Sequence, residues 1–85
     1  MNFVYSQHAL EQIELRGLDK SIVDDVLNSP SAIVNQDNLI TIFQKIFLEG
    51  DKLYLYRIFV NCIKDPPLVV TAYKTSKTDK YENQV

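Results

Sequence analysis

His8, the only histidine of the chain, is followed at four-residue intervals by Gln12 and Arg16. On a helix of 3.6 residues per turn, each such step advances about 40°, so the three share one polar edge. An imidazole, with an ordinary pKa of about 6.5, takes or gives a proton near neutrality. A guanidinium stays cationic and grips a phosphate through paired N–H bonds. A proton carrier and a phosphate clamp on one edge suit phosphodiester chemistry. The same spacing also describes any solvated helix face.

A second cluster lies some sixty positions later, in Thr71-Ala72-Tyr73-Lys74-Thr75-Ser76-Lys77-Thr78-Asp79-Lys80-Tyr81. Strand alternation places Thr71, Tyr73 and Thr75 on one face and Ala72 and Lys74 on the other. Hydroxyls donate to non-bridging phosphate oxygens, and ammonium groups offset the extra charge of a pentacoordinate phosphorane. Tyrosine rings stack on splayed bases. Read without function, the same residues make a soluble, polar C-terminus.

Other residue groupings carry less. Glu11, Glu14, Asp19, Asp24 and Asp25 read as exposed helix faces rather than a metal site, and no metal or cofactor is expected. The chain has no Gly-rich phosphate loop, no GxSxG elbow and no CxxC pair. Its single cysteine, Cys62, cannot close an internal disulfide and reads as a small buried hydrophobe. Tyr54 and Tyr56 share a strand face, as core or as a stacking platform, with core the plainer reading.

These side chains need a scaffold, and 85 residues allow one domain, 1–85. An apolar share of 46% with only two Gly and three Pro excludes a disordered chain. The sequence contains no apolar run long enough to cross a bilayer. Its N-terminus has neither the basic nor the apolar region of a secretory signal, so a cytoplasmic protein without membrane contact is expected. The net charge of −2 conceals a split. Residues 1–51 carry three basic against eight acidic residues, and residues 52–85 six against three. A polyanion responds to that local field rather than to the sum.

Ser6 is placed to cap a helix from Gln7 to Arg16, with Leu10 and Ile13 in the stripe facing a sheet and Gly17 as its left-handed stop. Asp19 caps a second helix, Lys20–Asn28, which Ser29-Pro30 ends. The period then shortens to two. Ala32–Val34, Leu39–Leu48, Leu53–Asn61 and Leu68–Tyr73 read as strands, with Phe3-Val4-Tyr5 as an opening one and Glu49–Lys52 as a hairpin turn. Residues 75–85 form a polar C-terminal tail. Helices followed by strands predict an α+β fold, two helices packed on an antiparallel sheet.

Tyr5 to Leu18, Y-S-x-H-A-L-E-x-I-x-x-R-G-L, resembles the opening of a family of small bacterial and cyanobacterial domains of uncharacterised function. Val69 to Tyr81 is similar to their closing strand and tail, and Asn28 to Pro30 fits between. That family is grouped with the RelE/ParE-like toxins of toxin–antitoxin systems and with the barnase–colicin–RelE type of ribonuclease fold. The resemblance implies a metal-independent endoribonuclease acting on mRNA or tRNA, in which the 2′-hydroxyl attacks the adjacent phosphorus. It implies catalytic roles for His8, Arg16, Thr71 and Tyr73. RNA contacts are implied for Gln12, Lys74, Thr75, Lys77, Lys80 and Tyr81, with Gln12 standing where relatives often carry arginine. A cognate antitoxin protein is the implied partner. Some relatives act on proteins instead, so a non-catalytic domain that binds a protein target or an antitoxin is the alternative.

Overall fold

The computed structural model describes residues 2–78. Its elements run β1 (Val4–Tyr5), α1 (Gln7–Leu15), α2 (Lys20–Asn28), β2 (Ala32–Asn35), β3 (Ile40–Glu49), β4 (Lys52–Asn61) and β5 (Leu68–Thr75). Two helices and a five-stranded sheet make an α+β fold. Lys80 and Tyr81 lie outside the described residues, and the expected tail begins one residue early, since Thr75 closes β5.

The helix ends follow their capping chemistry. The Ser6 hydroxyl accepts from the Ala9 amide at 3.0 Å, which satisfies one orphan donor of the first turn of α1. Gly17, at φ +64°, turns the chain out of α1, and Asp19 accepts from the Ser21 amide at 2.9 Å to open α2. Asp37 shapes the β2–β3 turn by accepting from the Leu39 and Ile40 amides, both at 2.8 Å.

The sheet order is β1-β5-β4-β3-β2. Strands β2 to β5 pair antiparallel with their neighbours, but β1 lies parallel to β5, so the sheet is mixed rather than antiparallel throughout. The Val4 amide donates to the Pro67 carbonyl and the Ser6 amide to that of Val69. A parallel pair joins segments far apart in the chain, so local patterning does not announce it. At the β4–β5 ladder the register slips between Phe59 and Val60, leaving Val70 as the extra residue of a bulge.

Both helices cover one face. Ala9, Ile13, Leu18, Val23, Val26 and Leu27 pack on Phe43, Tyr56, Ile58, Val60, Val69 and Ala72. Each fully buried aliphatic here contributes about 1.5–3 kcal/mol, so Ile58→Ala, with its transfer loss and cavity, costs about 2–5 kcal/mol. Two expectations are corrected. Ala9 and Ile13 form the buried stripe of α1 while Leu10 is 39% exposed, because α1 overhangs the sheet edge at β5. Cys62 is exposed, since it follows β4 into the loop instead of continuing the strand.

Candidate functional site

Alternation along β5 divides its residues as expected. Ala72 joins the helix-covered core, Lys74 reaches Glu49 and Tyr54 beside it, and Tyr73 meets Arg57 on the opposite face. Where β5 runs past β1, its outer edge borders α1, and the Arg16 guanidinium donates to the Ala72 carbonyl at 2.7 Å. At this edge, residues that alternate between both faces of the strand border one depression of about 580 Å³. It is lined by Arg16, Leu18, Tyr54, Tyr73, Lys74, Thr75 and Ser76.

The electrostatics of this depression are uneven. Arg16 spends one donor on Ala72, leaving most of its five N–H groups for an anion. Lys74 is paired with Glu49 at 2.7 Å and sits 4.6 Å from the centroid of the Tyr54 ring. Glu49 also accepts from the Tyr56 hydroxyl at 2.7 Å. The Lys74 ammonium, and then the Tyr56 hydroxyl, hold the Glu49 carboxyl below the usual carboxylate range. Burial, then the bond to Glu49, pushes the Tyr56 phenol upward, so it stays a neutral donor. An incoming anion therefore meets Arg16 first and competes with Glu49 for Lys74.

Behind the depression, a polar row crosses the sheet on the face turned from the helices. Gln44, Arg57 and Tyr73 stand directly opposite one another on β3, β4 and β5. The Arg57 Nε–H donates to the Gln44 side-chain Oε1 at 3.0 Å, and a terminal N–H of Arg57 donates to the Tyr73 hydroxyl oxygen at 3.0 Å. The Phe59 ring flanks the guanidinium at 5.7 Å and packs at 5.9 Å from the Tyr73 ring. With Gln44 fully buried and Arg57 nearly so, this row fixes where the Tyr73 hydroxyl sits.

Among the residues expected to carry chemistry, Arg16, Tyr73, Lys74 and Thr75 meet at the depression. Of the others that lie among the described residues, none lines it. His8 is exposed on the first turn of α1, about 12 Å along the helix axis from Arg16. Gln12 lines a separate shallow surface with Glu11, Glu14 and Leu15. Thr71 pairs with Phe59 on the face turned from the helices, and Lys77 is exposed, its amide bonded to the Thr75 hydroxyl at 3.1 Å. Sequence reasoning missed Arg57, Gln44 and Glu49. The available signal was a charged residue centred in the apolar run Leu53–Asn61. Among the described residues no His, Cys, Asp and Glu group could hold a metal ion, and no helix is long and apolar enough to cross a membrane.

No family model, no curated protein and no solved structure matches the chain.

Proposed function

We propose that the protein is a RelE/ParE-like toxin acting in the cytoplasm, a metal-independent endoribonuclease with its phosphate site at the outer edge of β5. One observation carries the reading: Arg16 from α1 and Tyr73, Lys74 and Thr75 from β5 line one depression, and Arg57 holds the Tyr73 hydroxyl behind it. Arg16 takes a non-bridging oxygen of the scissile phosphate. Lys74 exchanges part of its contact with Glu49 for the phosphorane, where charge builds up. The RNA 2′-hydroxyl attacks the adjacent phosphorus and loses its proton to water. The bond to the 5′-oxygen breaks, and that oxygen takes a proton from Tyr73, leaving a 2′,3′-cyclic phosphate. A cation bonded to the phenol oxygen stabilises the phenolate that results. His8, further along α1, touches a neighbouring nucleotide in this arrangement.

The test is incubation of purified protein with mRNA or tRNA in the presence of EDTA. Chelator-resistant cleavage with cyclic phosphate ends is expected, and intact RNA would overturn the reading. The alternative, a domain that binds a protein target or antitoxin without catalysis, draws on the distance of His8 from the depression and on the engagement of Lys74 by Glu49. In that case growth inhibition on induced expression survives Tyr73→Phe.

A further inference from the structure

The outer edge of the sheet at β3 is only half covered. Strand β2 pairs with Thr41 to Gln44 and goes no further. The Ser31 amide donates to the Gln44 carbonyl and the Gln36 amide to the Ile40 carbonyl, so even-numbered residues of β3 aim their backbone groups outward. By that alternation the N–H and C=O groups of Ile46 and Leu48 face outward too, and they have no strand partner among the described residues. Beside them, on the face turned from the helices, Leu48 and Leu53 stand directly opposite each other at 67% and 50% exposure. An edge strand left unpaired, free of proline and flanked by exposed leucines is a template for strand addition.

We infer that this edge pairs with the same edge of a second copy of the chain, antiparallel about a two-fold axis through Phe47. In that register Ile46 faces the second copy's Leu48, and Leu48 its Ile46. Both are hydrogen-bonded pairs, so all outward groups of the two residues are satisfied. The register is also the one that matches charge. Lys45 comes opposite the second copy's Glu49 at both ends, extending the internal pairs Lys45–Asp25 at 2.9 Å and Glu49–Lys74 at 2.7 Å into rows of alternating sign. Centring on Lys45 or on Glu49 sets like charges face to face. Centring on Leu48 drives the pairing into Gly50, whose φ of +65° is not that of a strand. Ser31, already bonded to Gln44, closes the window on the other side. The result is one continuous sheet through both copies, with Ile46 and Leu48 of each copy in cross-strand contact on its helix-free face.

Sedimentation equilibrium of the full chain over a concentration series tests this. Mass is expected to climb from one chain to two. Leu48→Lys, which sets an ammonium against apolar Ile46 across the axis, is expected to weaken association at least about tenfold. Ile46→Pro deletes an outward N–H that no strand of its own copy uses, a position where a sheet tolerates proline, so it is expected to abolish dimers while circular dichroism stays native. Register is read by mixing Lys45→Cys and Glu49→Cys proteins, each in a Cys62→Ser background. A disulfide that forms on mixing, but in neither protein alone, is expected from the close approach of a non-hydrogen-bonded pair. A chain that stays monomeric throughout overturns the proposal. So does a dimer indifferent to Leu48→Lys that fails to cross-link.

Discussion

The Arg57 guanidinium donates to the Tyr73 hydroxyl oxygen at 3.0 Å, between residues that face each other across β4 and β5. Gln44 takes the Arg57 Nε–H on the far side, so the guanidinium is clamped before any ligand arrives. In that bond the phenol oxygen is the acceptor, and Tyr73 also lines the depression that holds Arg16. Tyr73→Phe is therefore expected to lower single-turnover RNA cleavage by about a hundredfold or more, the scale of a positioned proton donor. Arg57→Lys retains charge but loses the two-pronged geometry, and about a tenfold loss is expected. Wild-type rates in Tyr73→Phe would remove Tyr73 from the chemistry.

Arg16 is expected to separate binding from folding. Its bond to the Ala72 carbonyl lies at a partly exposed edge, so Arg16→Ala costs about 1 kcal/mol of stability. The same change removes one phosphate contact, which lowers the slope of log affinity against log salt by about one. Fluorescence anisotropy of labelled RNA across a salt series measures that slope, and an unchanged slope places the phosphate elsewhere.

His8 offers the complementary test. Because it stands about 12 Å along α1 from Arg16, His8→Ala is expected to weaken RNA binding while cleavage of saturating RNA falls by less than in Tyr73→Phe. A larger loss in His8→Ala would make the imidazole the principal proton carrier.

Glu49 sets an acid dependence of stability. Its folded-state pKa is depressed below the ordinary 4.5, so its contribution is present above pH 4.5 and is lost as pH falls through the folded value. Asp19, held down by the Ser21 hydroxyl and amide, and Asp37, held down by the Leu39 and Ile40 amides, act in the same direction. Urea unfolding across acidic pH is expected to show a shallower decline for Glu49→Gln than for the wild type. Parallel curves would show that the Lys74 contact adds nothing to stability.

Two tyrosines govern the alkaline side. Burial, then a hydrogen bond to Asp24, raises the Tyr5 phenol, and burial, then the bond to Glu49, raises that of Tyr56. A raised folded pKa leaves their contribution complete below the ordinary 10.0 and removes it as pH climbs above that value. Phenolate absorbance is expected to show two tyrosines ionising together with unfolding. Tyr56→Phe should reduce that late component by one, and independent early titration of all tyrosines would contradict the buried hydrogen bonds.

Much of the scaffold was legible in local chemistry. Ser6 and Asp19 announced both helix starts through side-chain oxygens, Gly17 announced a stop through its positive φ, and the change to a two-residue period after Pro30 announced the strands. Such features depend on neighbours a few positions away, so the linear chain determines them. Candidate chemistry at Arg16, Tyr73, Lys74 and Thr75 was readable from side-chain type as well. Their convergence was not, because it depends on α1 lying along an edge of β5 and on contacts 56 residues apart in the chain, such as Arg16 to Ala72. The parallel seating of β1, the exposure of Leu10 and Cys62, and the row from Gln44 through Arg57 to Tyr73 were likewise decided by packing. A buried arginine in an apolar strand is unfavourable until registered neighbours on two other strands supply its partners, and only the folded sheet brings those strands together.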